Sequence, residues 1–202
     1  MNIPNALTVT RIFLVPLLVV VLLTKFEGRM ILGVRKELVG AAIFGLASLT
    51  DWLDGYLARR QHQVTSLGQV MDPLADKLLT SAAFLALVQM GLAPAWMVAI
   101  IIGREFAVTA LRNRAYNRGL AMPASSLGKI KMVAQVVAIL ALILGDVYLP
   151  GFLVIGRAAL WIVVVLALVS AADYFRRFGG LLSARVTDIS VARDERQERK
   201  AG

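Results

Sequence analysis

Apolar residues dominate six long stretches of the chain, and polar residues cluster between them. A helix needs roughly 20 mainly apolar residues to cross the hydrocarbon of a bilayer. The predicted helices cover about Ala6–Leu23, Leu38–Arg60, Asp72–Gly91, Pro94–Asn117, Leu127–Leu144 and Phe152–Phe175. The pattern therefore predicts an all-α integral membrane protein with six transmembrane helices and a juxtamembrane segment at its N-terminus.

The segments between the predicted helices leave no room for a separate soluble domain. Six spans use about 120 residues, so about 80 of the 202 remain for loops and tails. We expect one membrane-embedded domain over residues 1–178 and a charged, poorly ordered cytoplasmic tail over residues 179–202. Arg11 precedes an apolar run, as in a signal peptide, but no small-residue cleavage site follows. We therefore expect the first helix to be retained.

The composition supports a membrane protein and excludes several kinds of site. Charged residues make up 17% of the chain and apolar residues 58%, whereas soluble domains average about 25% charged residues. The chain has no cysteine and a single histidine, His62, which excludes disulfides, cysteine nucleophiles and multi-histidine metal sites. The net charge of +9 is spread between the apolar stretches, so we expect anionic lipids and phosphates as partners and no nucleic acid.

The distribution of lysine and arginine predicts the orientation, because cytoplasmic loops carry the excess of both residues. With the N-terminus inside, most basic residues fall inside, and the outside keeps only Lys25, Arg29, Arg35, Lys36 and Arg157. An even number of spans then places both termini in the cytoplasm. The carboxylates between Asp51 and Asp76 lie near the cytoplasmic membrane surface in this arrangement.

Four aspartates flank the short connection between the second and third predicted helices. Asp51 and Asp54 share one helical face. Asp72 and Asp76, four residues apart, project from one face of the next helix, whose first turn accommodates Pro73. Because these helices are antiparallel neighbours, the four carboxylates can converge. Such a cluster near hydrocarbon requires cations, and its oxygen ligands favour two Mg²⁺ or Mn²⁺ ions, an arrangement suited to phosphoryl transfer.

Small residues beside the aspartates leave space for a ligand. At Gly55 and Ala58 the helix backbone can approach a nucleotide or diphosphate, and Arg59 on the adjacent face can donate to phosphate oxygens. Taken singly, small residues of this kind are explained by helix packing. Their fixed spacing relative to the four aspartates and Gly68 favours a binding site instead.

This arrangement resembles the signature of the CDP-alcohol phosphotransferases, D-x-x-D-G-x-x-A-R, eight residues, then G-x-x-x-D-x-x-x-D. The chain matches every signature position in type and spacing, at Asp51, Asp54, Gly55, Ala58, Arg59, Gly68, Asp72 and Asp76. The resemblance implies a six-helix membrane fold, usually a homodimer, with a site open to the cytoplasm. It also implies transfer of a phosphatidyl or related group from a CDP-linked donor to an alcohol, with release of CMP.

Flanking sequence narrows the resemblance to bacterial inner-membrane members that use CDP-diacylglycerol and glycerol 3-phosphate. It covers about residues 1–175 and includes N-I-P-N-A-L-T-V-T-R-I from Asn2, G-R-E-F from Gly103 and G-K-I-K-M from Gly128. The resemblance implies that Asp51, Asp54 and Asp72 hold the metals. It implies that Asp76 is also a ligand and takes the proton from the attacking hydroxyl. The residues expected to border the CDP group are Gly55, Ala58, Arg59 and Gly68, with Asn5 and Thr8 as further candidates.

An acceptor that carries its own phosphate needs a second, basic pocket, whose candidates are Arg104, Arg112, Lys129 and Lys131. Arg104 and Arg112 are about 80° apart and two turns apart on one helix, so both can line one cleft. Lys129 and Lys131 are about 200° apart, and Lys131 is preferred because it shares a small, polar face with Gln135. Glu105, seven residues from Arg112, is expected to orient that arginine.

Two alternatives to this function remain open. The same chemistry could use another acceptor, such as phosphatidylglycerol in a cardiolipin synthase, inositol phosphate or serine. The basic residues favour a phosphorylated acceptor without separating glycerol phosphate from inositol phosphate. A divalent-cation transporter could also use aspartates within a membrane, but its carboxylates are expected near mid-membrane. A transporter also gives no account of Gly55, Ala58 and Arg59.

Overall fold

Six helices make up most of the described part of this computed structural model. It describes the backbone of residues 3–24, 30–31, 33–61, 66–117, 126–146 and 150–201, and the side chains of residues 10–24, 31, 33–50, 75–114, 130–146 and 151–176. The helices are α1 Ile3–Leu23, α2 Lys36–Gln61, α3 Ser66–Gln89, α4 Ala95–Asn117, α5 Ser126–Gly145 and α6 Pro150–Ala201. The mostly helical class and the six helices predicted from the apolar pattern are confirmed.

The start of α3 differs from the predicted one. The helix begins at Ser66 rather than Asp72, so Pro73 lies inside the helix and not in its first turn. The prediction relied on the preference of proline for the first turn. In the structure this local preference does not set the start of the helix, and α3 packs against α1.

The C-terminal tail is helical, contrary to the expectation of a poorly ordered segment. α6 continues from Pro150 to Ala201, a length of 52 residues, and does not end at Phe175. No proline interrupts the tail, and its last part, Arg193–Lys200, consists mainly of strong helix formers. These residues allow the helix to continue beyond its apolar part.

The connection between α1 and α2 contains a short hairpin that the all-α prediction missed. Strand β1, Met30–Ile31, pairs antiparallel with β2, Val34–Arg35. Gly33 in the turn has a φ of 79°, a left-handed conformation that glycine adopts without steric cost. Each strand has only two residues, which is too short to give a detectable alternating pattern.

The core consists of aliphatic, small and aromatic side chains from the packed helices. Phe44 of α2 and Phe84 of α3 are fully buried among them. α6 approaches α5 closely at Gly156, where a Cβ atom would lie 2.8 Å from the side chain of Leu142. Many large apolar side chains face outward instead, including Phe13 at 71% exposure. An apolar outer surface of this kind is suited to contact with lipid.

Among the described residues, α6 contains the one helical segment that is both long and apolar enough to cross a membrane. This segment, Gly151–Arg176, has a mean hydropathy of 2.6. Two shorter apolar segments, Thr10–Leu23 and Ile130–Gly145, belong to α1 and α5. α4 departs from this pattern because Arg104 and Glu105 interrupt its apolar run.

Candidate active site

Four basic side chains from three helices lie close together and form what we call the cationic cluster: Lys77 of α3, Arg104 and Arg112 of α4, and Lys131 of α5. The Lys77 ammonium lies within electrostatic range of Asp76, Arg104 and Arg112. The Lys131 ammonium lies within range of Asp76, Lys77 and Arg104. The structure therefore brings three of the four predicted phosphate-binding residues together, next to the aspartate predicted to act as base.

Glu105 joins two members of the cationic cluster. Its Oε1 accepts a hydrogen bond of 3.0 Å from Nη1 of Arg104 and another from Nζ of Lys131. The side chains of Arg104 and Lys131 are only 9% and 4% exposed. Because an unpaired buried charge is costly, this carboxylate stabilises the two cations in place.

The predicted pairing of Glu105 with Arg112 is wrong. Glu105 contacts Arg104 and Lys131, whereas Arg112 donates from Nη2 to the hydroxyl of Tyr174 at 2.5 Å. Residues seven apart lie on the same side of a helix but about 10.5 Å apart along its axis. Glu105 therefore binds Lys131 of α5, and Arg112 binds Tyr174 of α6, because these partners are closer.

Tyr174 of α6 holds both arginines of α4. The guanidinium carbons of Arg104 and Arg112 lie 6.0 Å and 5.5 Å from the centre of its ring, within the range of cation–π interactions. One turn earlier, the hydroxyl of Ser170 accepts a hydrogen bond from Nη2 of Arg104. Tyr174 and Ser170 are both buried. The two arginines lie on one side of α4, as their spacing indicates, and α6 positions them.

Arg104 retains a buried donor that no described residue satisfies. Its Nε has no hydrogen-bond partner in the described part of the chain, although Nη1 and Nη2 are both paired. A buried N–H without an acceptor costs about 1–3 kcal/mol. An anionic ligand that supplies an oxygen at this position would remove that cost.

Lys77 connects α3 to the cationic cluster. Its Nζ donates to Oγ1 of Thr109 at 2.5 Å, and that hydroxyl donates to the carbonyl of Glu105 at 2.7 Å. Sequence reasoning gave no role to Lys77, Ser170 or Tyr174. Two features of the sequence point to these residues. Lys77 directly follows Asp76, and Ser170 and Tyr174 are polar residues four apart near the end of the apolar part of α6.

Of the four predicted metal ligands, only Asp76 has a described side chain, which is half-buried in the middle of α3. Asp51 and Asp54 lie on α2 and Asp72 on α3, as predicted, and these two helices are in contact. The described side chains contain no group of three or more histidines, aspartates or glutamates that could hold a metal. The side chains of Asp51, Asp54 and Asp72 lie outside the described part of the chain.

The remaining predicted site residues have helical backbones, but their side chains lie outside the described part: Asn5, Thr8, Gly55, Ala58, Arg59, Gly68 and Lys129. Lys131 is described and points inward, since it is buried together with Gln135 and Ala138 on the same face of α5. This burial agrees with the preference for Lys131 as a pocket residue.

Comparison with known proteins identifies the family. The sequence model of the CDP-alcohol phosphatidyltransferases matches residues 1–188. The chain belongs to the CDP-alcohol phosphatidyltransferase family. The resemblance inferred from the aspartate signature is therefore confirmed, and the chain is a member of a family of membrane enzymes.

Several members of the family are similar to this chain over most of their length. The CDP-diacylglycerol–glycerol-3-phosphate 3-phosphatidyltransferase of Bacillus subtilis (strain 168) is 47% identical over 184 residues, which cover 87% of this chain and 94% of that protein. The enzyme of the same name from Rickettsia typhi is 36% identical over 180 residues, covering 87% and 96%. A probable phosphatidylglycerophosphate synthase of Mycobacterium tuberculosis (strain H37Rv) is 36% identical over 179 residues, covering 87% and 81%.

Proposed function

We propose that this chain is a phosphatidylglycerophosphate synthase, which transfers the phosphatidyl group of CDP-diacylglycerol to sn-glycerol 3-phosphate and releases CMP. Relatives named for this pair of substrates match 87% of the chain at up to 47% identity. The observation in the structure that carries the assignment of the acceptor is the cationic cluster beside Asp76. It supplies the positive charge that a phosphorylated alcohol requires.

The cationic cluster is suited to a phosphate monoester. Glu105 balances part of its charge, and the cluster as a whole remains positive. Arg104 contributes its unpaired Nε, and the exposed Arg112 presents a guanidinium that is held on one side by Tyr174. Arginine donates to phosphate oxygens through two parallel N–H groups. We propose that the phosphate of glycerol 3-phosphate binds to Arg104, Arg112 and Lys131, with Lys129 as a further contact.

Asp76 lies on the same side of the bundle as the cationic cluster and within electrostatic range of Lys77 and Lys131. An acceptor anchored there by its phosphate can extend its free hydroxyl toward the carboxylate. We propose that Asp76 takes the proton as the hydroxyl oxygen bonds to the β-phosphorus of the donor. The bond from that phosphorus to CMP breaks, and CMP leaves. Holding both reactants in place lowers the entropic part of the barrier.

The donor set of the aspartate cluster fits two hard divalent cations, since Asp51, Asp54, Asp72 and Asp76 offer only carboxylate oxygens. When bound, Mg²⁺ or Mn²⁺ would neutralise charge on the diphosphate and on the leaving CMP. We propose that the small residues of the signature, together with the juxtamembrane N-terminus, border the CDP group: Gly55, Ala58, Arg59, Gly68, Asn5 and Thr8.

For the membrane arrangement, we propose six spans in the bacterial inner membrane, with both termini and the active site facing the cytoplasm. In support, Lys77 in the middle of α3 bonds to Thr109 of α4, Lys131 near the start of α5 bonds to Glu105, and Arg112 in the later part of α4 bonds to Tyr174. The α3–α4 connection and the start of α4 lie instead beside Leu160 and Trp161, earlier on α6. The successive helices α3 to α6 therefore alternate in direction, as a multi-pass protein requires. We further propose a homodimer, with a catalytic domain over residues 1–178 and a cytoplasmic tail over residues 179–202.

The orientation can be tested by introducing single cysteines, because the chain has none of its own. Ala95 and Arg114 are exposed residues at opposite ends of α4. In intact spheroplasts, a membrane-impermeant maleimide should label Ala95→Cys and leave Arg114→Cys unlabelled until the membrane is permeabilised. Labelling of Arg114→Cys in sealed spheroplasts, with Ala95→Cys protected, would show that the proposed orientation is inverted.

The proposed function is tested with purified protein, CDP-diacylglycerol and one alcohol at a time. We expect CMP release with glycerol 3-phosphate, and only background release with inositol phosphate, serine or phosphatidylglycerol. The lipid product should be phosphatidylglycerophosphate when it is identified by mass spectrometry. CMP release that is faster with another acceptor would contradict the assignment of glycerol 3-phosphate.

A further inference from the structure

A cavity of about 320 Å³ lies between the α3–α4 connection and α6, with a lining that includes Gly91, Leu92, Pro94, Arg157, Leu160 and Trp161. Along α6, Arg157 is separated from Tyr174 by about 26 Å at 1.5 Å per residue. That distance approaches the roughly 30 Å thickness of bilayer hydrocarbon. The cavity therefore lies at the opposite end of the bundle from the cationic cluster and forms a separate site.

Arg157 is the charged residue of the cavity. It is exposed, and it makes no hydrogen bond or ion pair with any residue that the structure describes. All the other lining side chains are apolar or absent. An exposed guanidinium on an apolar surface is suited to bind an amphipathic molecule, which has both an anionic group and an apolar part.

The opposite wall of the cavity is held in place by backbone hydrogen bonds. Gly91, with a φ of 74°, follows the last residue of α3, Gln89. Its N–H donates to the carbonyl of Val88 at 3.0 Å, and the N–H of Leu92 donates to the carbonyl of Leu87 at 2.9 Å. α4 begins directly afterwards, at Ala95. The start of a helix carries partial positive charge, which adds to the charge of Arg157.

Two tryptophans mark this end of the bundle. The rings of Trp96 and Trp161 lie 5.7 Å apart in an edge-to-face arrangement, and both side chains are about half exposed. Tryptophan is enriched where protein crosses the boundary between hydrocarbon and headgroups. Below Trp161, the exposed apolar side chains of Ile162 and Val165 continue along α6 and offer a surface for acyl chains.

We propose that this cavity binds the headgroup phosphate of an anionic phospholipid in the outer leaflet. The phosphate pairs with Arg157, the glycerol backbone packs against Trp161 and Leu160, and an acyl chain follows the outer face of α6. The apolar lining and its continuation along α6 favour a lipid over a free phosphate ion. The proposal rests on the proposed membrane arrangement and not on the identity of the acceptor.

The test measures the thermal unfolding midpoint of the full chain in phosphatidylcholine nanodiscs with and without phosphatidylglycerol. Phosphatidylglycerol should raise the midpoint, and Arg157→Gln should lose most of that rise, whereas Arg157→Lys should keep it. Arg176→Gln, which removes an exposed charge from the other end of the same segment, should respond like the unchanged protein.

Two further measurements distinguish lipid binding at this cavity from binding at the candidate active site and from binding of a free anion. Arg112→Ala should retain the rise caused by phosphatidylglycerol, and inorganic phosphate should not reproduce it. The proposal is overturned if Arg157→Gln retains the full rise, or if Arg112→Ala alone loses it. It is also overturned if inorganic phosphate raises the midpoint as much as the lipid does.

Discussion

Asp76→Asn is expected to abolish phosphatidyl transfer while the chain still folds and inserts. Asparagine has nearly the same shape but cannot accept the proton of the attacking hydroxyl. General-base catalysis is worth about 10²- to 10⁴-fold in rate, and the loss of a proposed metal ligand adds to that effect. Asp76 is half-buried and lies outside the hydrophobic core, so the variant should still fold. Its unfolding midpoint should be somewhat lower, because the carboxylate no longer offsets the charges of Lys77 and Lys131.

The measurement is CMP release by the purified variant, together with its thermal unfolding midpoint. Asp146→Asn is a matched control, because Asp146 is exposed at the other end of the bundle, at the end of α5. This control should keep wild-type turnover. If Asp76→Asn turned over at the wild-type rate, Asp76 would not be the base.

Arg112→Ala should raise the KM for glycerol 3-phosphate by about 10- to 150-fold, with a smaller effect on kcat. A hydrogen bond to a charged group is worth about 1.5–3 kcal/mol, and each 1.4 kcal/mol is tenfold in affinity. The effect should fall mainly on KM, because Arg112 is proposed to hold the phosphate of the acceptor, remote from the reacting hydroxyl. The KM for CDP-diacylglycerol should stay unchanged.

Two variants sharpen the interpretation of Arg112→Ala. Arg114→Ala removes an exposed charge two residues further along α4 and should leave both KM values unchanged. Tyr174→Phe keeps the ring beneath the arginines but removes the hydroxyl that accepts from Arg112 at 2.5 Å, so an intermediate increase is expected. An unchanged KM for glycerol 3-phosphate in Arg112→Ala would argue against the pocket.

Much of the secondary structure follows from local sequence. The fifth helix, predicted over Leu127–Leu144, spans Ser126–Gly145, and the fourth ends at Asn117 as predicted. Long apolar runs form helices because a helix satisfies its own backbone hydrogen bonds. The family was also evident from sequence, since eight residues at fixed spacing along two helices identify it without any coordinates.

Two helix boundaries predicted from local sequence are wrong. Pro73 favours a first turn, but α3 begins seven residues earlier, at Ser66. The tail was expected to be poorly ordered on account of its charge, but α6 continues to Ala201. In both cases a single local feature, one proline or a charged segment, does not determine where the helix begins or ends.

The partners within the cationic cluster depend on which helical faces meet. Helical periodicity places Arg104 and Arg112 on one side of α4, and it gives no information about α6. Tyr174 follows Lys77 by almost half of the chain, and Glu105 pairs with Lys131 across two helices. Periodicity sets the angle of a side chain around its own helix, whereas its partner depends on how neighbouring helices rotate and shift as they pack. The helices and the aspartate signature could therefore be found in the sequence, but the way Tyr174, Ser170 and Glu105 hold the cations required the assembled bundle.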